Sequence, residues 1–306
     1  LIVKILGSSA GGGFPQWNCN AALSRFAWDG DERVTARTQS SIAVSAGGQS
    51  WTVINASPDI RQQIAAIREL QPRREGPLRS SPIEAVILTN GDVDHVAGLL
   101  SLRERQPFRL YATKRILSIL KQNSIFDVLA PDAVERIALN LDGPAASIEA
   151  GGLDVEAFPV PGKVPLYLED ENAEKGIGTQ SGDTIGLKIS SKGSGTLFYV
   201  PGCAFIGENL LAQLRGADCL LFDGTVFTDA EMIDLGVGQK TGRRMGHVPI
   251  SGEGGSLHAF DKSAIARKIY IHINTTNPIL ERGSEAERAV KAAGWEIAYD
   301  GMTIEL

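Results

Sequence analysis

The sequence predicts an α/β (α+β) fold built from two mixed β-sheets flanked by helices. Short apolar runs of strand length recur in both halves of the 306-residue chain, helical patterns fall between them, and the strand content of the two halves is similar. The richest glycine stretches, around Gly47-Gly48 and Gly193-Ser194-Gly195, are hairpin-sized and lie between alternating apolar runs. They read as turns rather than linkers, so residues 1–306 read as one continuous domain.

Taken in order, strands are expected at 3–6, 41–45 and 51–54. A helix then starts at Ser57-Pro58, with Ser as N-cap, Pro in the first helical position, and Ile60, Ile64 and Ile67 on one face. Strands 85–88 and 109–112 follow, then a helix over 113–121 that buries Ile116, Ile119 and Leu120. The second half offers strands 153–158, 184–189, 196–200, 219–222 and 268–273, with a helix-like segment at 256–260. A last helix opens on a capping box from Ser284 to Glu287, stops at Gly294, and leads into strand 295–298.

A net charge of −6 gives no support for nucleic acid or an anionic membrane surface as partner. No apolar run approaches the roughly 18–20 residues needed to span a bilayer. Residues 1–6 read as a strand with no cleavable signal after it, so the expected location is the cytoplasm, although Leu1 in place of Met leaves the true start open. The three cysteines, Cys19, Cys203 and Cys219, are odd in number and far apart, which argues against a disulfide framework. Cys203 and Cys219 read as buried, unreactive thiols.

The chemistry concentrates where an apolar strand runs into the turn Thr89-Asn90-Gly91-Asp92-Val93-Asp94-His95. A turn that closes one element and opens the next can aim Asp94 and His95 at a single ion, which neighbours on one regular element cannot do. A lone histidine is more often structural, but two carboxylates stand beside this one. His272 ends another apolar stretch, and its pattern alone leaves core histidine and ligand level. Asp223 closes a third apolar run, where a carboxylate needs a cation or hydrogen-bond donors. His247 follows a flexible, basic segment and reads as a substrate-binding or acid/base group or as a surface residue, whereas His258 has no companion and reads as structural.

The pattern Asn90-x-Asp92-x-Asp94-His95 resembles the metallo-β-lactamase signature His-x-His-x-Asp-His, with the first two histidines replaced and the last two ligands kept. The resemblance implies an αββα sandwich that has lost one of two metal positions. It places His272 where the final metal histidine ends a late strand, Asp223 where an aspartate bridges two metals, and Lys163 where a loop would supply another histidine. An ammonium has no lone pair to give, so Lys163 forbids that site. What this leaves is Asp94, His95 and His272, a two-histidine, one-carboxylate set of the kind that holds non-haem Fe(II) with open positions and that also suits Zn(II).

Longer runs are similar to one family within that fold, the pyrroloquinoline quinone (PQQ) biosynthesis protein B family. They are residues 6–20 (LGSSAGGGFPQWNCN), 36–41 (ARTQSS), 55–63 (NASPDIRQQ) and Met245-Gly246-His247. The glycines at 7, 11, 12 and 13 do not fit a dinucleotide-binding G-x-G-x-x-G. Family members commonly carry a Cys-x-Cys-x-x-Cys knot for a structural zinc. Here Cys19 is followed by Ala21 and Ser24, so no structural zinc is expected at Cys19 and the segment is expected to be loop-like.

The family resemblance implies a hydroxylase of PQQ biosynthesis that uses Fe(II) and O₂ on the tyrosine ring of a Glu–Tyr diad cut from a precursor peptide. Zn(II) is the alternative occupant in purified protein. In that reading Asp94, His95 and His272, with Asp223, hold metal, Asp92 takes the phenolic proton or orients a ligand, and His247 serves as acid/base. Arg61, Lys163, Arg243 and Arg244 are candidates for substrate carboxylates, with solvated surface as the plain alternative. Other PQQ biosynthesis proteins are conceivable partners. Two rival functions stand beside it: a carrier that transports PQQ or its precursor, and a single-metal hydrolase, since one zinc suffices to activate water.

Overall fold

Strands that are apolar on both sides need a cover on each face, and the chain provides it with sheet on one side and helix on the other. A computed structural model describes residues 1–141, 146–148, 150–168 and 182–306. Strands β1 (Ile2–Gly7), β2 (Ser41–Ser45), β3 (Trp51–Ile54), β4 (Ile83–Ile87), β5 (Phe108–Thr113) and β6 (Val134–Leu139) build the first sheet. Strands β7 (Ala146–Ile148), β8 (Leu153–Pro159), β9 (Ile185–Ser191), β10 (Leu197–Val200), β11 (Cys219–Asp223), β12 (Arg267–Ile271) and β13 (Trp295–Ile297) build the second. β14 (Thr303–Glu305) returns to the first sheet beside β1.

Among the described residues the spatial orders are β14-β1-β2-β3-β4-β5-β6 and β13-β12-β11-β10-β9-β8-β7. The sheets mirror one another: β14 to β3 and β7 to β10 pair antiparallel, while β3 to β6 and β10 to β13 pair parallel. Side chains alternate accordingly. Ala85 and Ile87 of β4, Leu221 of β11 and Ile269 and Ile271 of β12 enter the core between the sheets. Val86 faces outward into a cluster with Ile60, Ile116 and Leu120, and Leu220, Phe222 and Tyr270 face outward into one with Leu210, Phe260 and Val290.

The helices that cover these faces are α1 (Ala22–Trp28), α2 (Ile60–Ala66), α3 (Val93–Val96), α4 (Lys114–Gln122), α5 (Glu208–Gln213), α6 (Glu231–Asp234), α7 (Ser256–Ala259) and α8 (Glu285–Ala292). Thr113 caps α4 by accepting from Ile116 N at 3.2 Å, and Ser284 caps α8 by accepting from Glu287 N at 3.0 Å. The expected capping box is modified, because the Glu287 carboxylate accepts from Gly283 N, one residue before the cap. No helix of the described residues is long and apolar enough to cross a membrane.

Several boundaries differ from the sequence reading. α2 begins at Ile60, because the Ser57 hydroxyl donates to Gln63 and accepts from Asp59 N, which leaves Pro58 and Asp59 in a turn. The segment after Cys19, expected as loop, becomes α1 at Ala22: Leu23 and Phe26 pack on the outer core of the second sheet, and Ser24 Oγ lies 2.9 Å from Thr275 Oγ1. Strands β6, β7 and β14 escaped the sequence reading; β6 mixes charge into its run (VERIAL), and β7 and β14 have three residues each. β12 stops at Ile271, short of the expected end, because His272 turns to φ 60°.

The sheets are stitched at one end. Ile273 N donates to Ser8 O, Ala10 N donates to Ile273 O, and Ile185 N donates to Thr89 O, each at 2.8–2.9 Å. Gly98 anchors the turn after β4: its N–H donates to Ala56 O, Ala56 N donates to His95 O, and a Cβ on Gly98 would stand 2.1 Å from Ser57 O. Gly98→Ala should therefore cost about 2–3 kcal/mol of stability by forcing this packed turn apart. Gly47→Ala, where a Cβ meets open space, should cost much less; the two denaturation midpoints compare them directly.

Candidate metal centre

The stitched end brings the tips of β4, β11 and β12 together, and with them the charged residues that close those strands. His95, on α3, is buried, and Asp94 beside it is partly buried. Asp94 Oδ2 lies 3.1 Å from His272 Nε2 and 3.7 Å from His95 Nε2. Asp94, His95 and His272 thus form one ligand group from two distant parts of the chain. Holding His272 in the left-handed region strains a non-glycine backbone, and here that turn delivers the ring to Asp94.

The ring orientations follow from their partners. Asn90 Oδ1 accepts from His95 Nδ1 at 2.7 Å, which leaves His95 Nε2 without a proton in the neutral ring. That Nε2 is buried and has no hydrogen-bond partner, an arrangement that is costly unless a cation takes the lone pair. His272 engages Thr225 Oγ1 through Nδ1 at 2.8 Å and presents Nε2 toward Asp94. Two imidazole nitrogens and a carboxylate oxygen converging on one point fit a divalent transition-metal cation.

Burial lowers the His95 pKa to about 4, partly offset by Asp94 and reinforced by His272 and His247. Burial also pulls His272 down, but the hydrogen bond and charge of Asp94, aided by Asp223 and Asp92, carry it above the ordinary value. Asp94 is held well below the usual carboxylate range: burial opposes this, and His95 and His272 outweigh it. The hydrogen bond between His272 Nε2 and Asp94 Oδ2 ties these two residues together.

A second group consists of Asp223, His247 and His272. Asp223, fully buried, does not join Asp94 and His95. Its Oδ2 accepts from Cys203 N at 2.9 Å and from His247 Nδ1 at 2.8 Å, and its Oδ1 accepts from Thr225 N and Oγ1 at 3.0 and 2.7 Å. Its need for partners, evident in the sequence, is met by protein donors. The His247 and His272 rings stack with centroids 5.1 Å apart.

These groups open on a cavity of about 480 Å³ whose wall includes Asp92, Asp94, Lys163, His247 and His272. Arg61, Arg243 and Arg244 are not part of that wall. Arg61 is exposed on the first turn of α2, the Arg243 guanidinium reaches the carbonyls of Glu253 and Gly254, and Arg244 lies in the turn before Met245. His258 is exposed on α7, away from the cavity, and Cys203 and Cys219 are buried with their thiol pKa values pushed up by that burial. Sequence reasoning missed Thr225, Lys240, Met232 and Met245, all on the wall. It also read Asn90 only as a lost ligand, whereas Asn90 orients His95; its sequence signal was a short polar side chain five residues before the histidine.

The model of the beta-lactamase superfamily domain matches residues 50–273. The coenzyme PQQ synthesis protein B of Methylobacterium nodulans is 56% identical over 302 residues, covering 99% of each chain. That of Rhizobium meliloti is 53% identical over 306 residues, covering 100% of this chain and 98% of its own. The crystal structure of Zn(2+)-bound PqqB from Methylobacterium extorquens superposes with a TM-score of 0.94 at 53% identity over the whole of both chains. A diphosphatase of the PhnP family, at 22% identity and a TM-score of 0.66 over 100% and 97% of the two chains, shares the fold. A metallo-β-lactamase fold with a His/Asp metal site, matched over its full length at this level of identity, makes this chain a member of the coenzyme PQQ synthesis protein B family.

Proposed function

We propose that this protein hydroxylates the tyrosine ring of a Glu–Tyr diad derived from the precursor peptide of PQQ, using O₂, an external two-electron reductant and Fe(II) held by Asp94, His95 and His272, so that one oxygen atom enters the ring as hydroxyl and the other leaves as water. The observation that carries the reading is the partnerless, buried Nε2 of His95 within a two-histidine, one-carboxylate group facing an open cavity. Such a group binds a cation from one side and leaves coordination positions free. Iron bound there supplies the activation of dioxygen.

The protein's own residues do the rest. Met232 and Met245 give the cavity a soft apolar wall suited to an aromatic ring, and Lys163 and Lys240 add ammonium groups for substrate carboxylates. Asp92, on the same wall, accepts the phenolic proton in this reading or orients a ligand. His247 donates through Nδ1 to the buried Asp223, which fixes its ring and leaves Nε2 to exchange a proton with substrate. A volume of about 480 Å³ is ample for a dipeptide-sized ligand. A second reading, a single-zinc hydrolase, draws support from the zinc-bound relative.

Anaerobic loading with Fe(II) or Zn(II), then exposure to O₂ with Glu–Tyr substrate and excess ascorbate as reductant, should give product heavier by oxygen with iron alone. Cleavage of a substrate bond with zinc favours the hydrolase instead, and tight binding of PQQ without turnover favours a carrier.

His95→Ala and His272→Ala should abolish metal binding. Asn90→Leu, which keeps all three ligands but releases the His95 ring, should weaken it about 10–100-fold by competitive chelator titration.

Because His272 titrates above its ordinary value, a cation must displace its Nε2 proton. Affinity should fall about tenfold per pH unit below that raised pKa and level off above it. Calorimetry in buffers of different ionisation enthalpy should show one proton released at low pH.

A further inference from the structure

The Asp223, His247 and His272 group has the composition of a second cation site, yet its centre is filled by the protein itself. Thr225 Oγ1 lies 2.7 Å from Asp223 Oδ1, 3.0 Å from His247 Nδ1 and 2.8 Å from His272 Nδ1. An ion bonded to those three atoms at about 2.0–2.2 Å from the side the hydroxyl occupies would collide with it. We propose that the Thr225 hydroxyl is the positioning group that keeps this centre mononuclear, by occupying the second cation position and by engaging Nδ1 of His272 while Asp223 engages Nδ1 of His247.

Proton accounting supports this. A threonine hydroxyl has one proton to donate and two lone pairs. The Asp223 carboxylate at 2.7 Å and the His272 carbonyl at 3.0 Å share the proton as acceptors, so the hydroxyl accepts from His272 Nδ1, while His247 Nδ1 donates to Asp223 Oδ2 and lies within reach of the hydroxyl as well. Both Nδ1 atoms then carry protons and have no lone pair for a second ion, and both Nε2 atoms point away from the hydroxyl. Asp223 Oδ2 also accepts from Cys203 N, so its carboxylate is fully engaged.

The backbone around Thr225 keeps the hydroxyl in place. Gly224 N donates to Ile271 O at 2.8 Å, Asn274 N donates to Thr225 O at 3.0 Å, and Asn277 Nδ2 donates to Gly224 O at 2.8 Å. A Cβ on Gly224 would stand 2.9 Å from Tyr270 Cβ, so this turn packs directly against β12.

The inference rests on the metal-holding reading of Asp94, His95 and His272 but not on the reaction. Its test is the number of Zn(II) ions retained after desalting, with Co(II) absorption as a second readout. The wild-type protein and Thr225→Ser should each hold one equivalent. Thr225→Ala, which vacates the position, should hold a second ion, with His272 bridging the two as an imidazolate whose Nδ1 proton passes to solvent and the His247 proton moving to Nε2, and this second ion should be lost again in the Thr225→Ala/His247→Ala pair. Thr225→Val, with a methyl in place of the hydroxyl, should hold no second equivalent. One equivalent in both wild type and Thr225→Ala overturns the role of Thr225, as does a second equivalent in wild type that His247→Ala removes. No retention by any form overturns the underlying metal reading instead. Should Thr225→Ala fail to fold, nitrogen-15 spectra of the zinc-loaded wild type decide: protons on Nδ1 of both His247 and His272 support the inference, and a deprotonated Nδ1 on either overturns it.

Discussion

The centre depends on the backbone stitch that ties Ser8 and Ala10, just past β1, to Ile273, just past β12. Each sheet supplies part of the site: the first carries Asp94 and His95 after β4, and the second carries Asp223 after β11 and His272 after β12. A shared apolar core holds the sheets face to face but is tolerant of small sliding. Hydrogen bonds across the rim are not, and they set His272 Nε2 at 3.1 Å from Asp94. The strained backbone of His272 persists because the residue after it is held on both its N–H and its carbonyl.

Around the three ligands the protein arranges a chain of donors in which each imidazole has its Nδ1 engaged. Asn90 serves His95, Thr225 serves His272, and Asp223 serves His247. Orientation by such partners raises ligand basicity and removes the entropy cost of finding the right rotamer. The same burial that lowers the pKa of His95 makes Asp94 valuable, because a carboxylate held ionised in a dry site attracts a cation strongly. The proton on His272 and a metal ion compete for one place, which links the acid–base state of the site to its occupancy.

Polar residues around the ligands are engaged by the protein itself. Asn90 orients His95, Lys163 lies on the cavity wall, and the Asp223 carboxylate accepts from Cys203, Thr225 and His247. The Asp94, His95 and His272 set lies beside a polar wall that also carries two methionines.

Much of this was legible in the amino-acid order alone. Two sheets flanked by helices followed from strand-length apolar runs with helical patterns between them, and Asp94 and His95 stood out because they sit with Asp92 in the turn after an apolar strand, whereas His272 was level between core residue and ligand until the family resemblance favoured it. Short or charged strands such as β7 and β6 carry too little periodicity to be seen, and α1 forms only because Leu23 and Phe26 find the second sheet's outer face. Which arginines miss the cavity, which hydroxyl fills the second ligand cluster, and which way each imidazole turns were decided by tertiary structure. A sequence records what a side chain can donate or accept, but its partner is set by segments 22 to 178 residues away, as for Thr225 with His247 and Asp94 with His272.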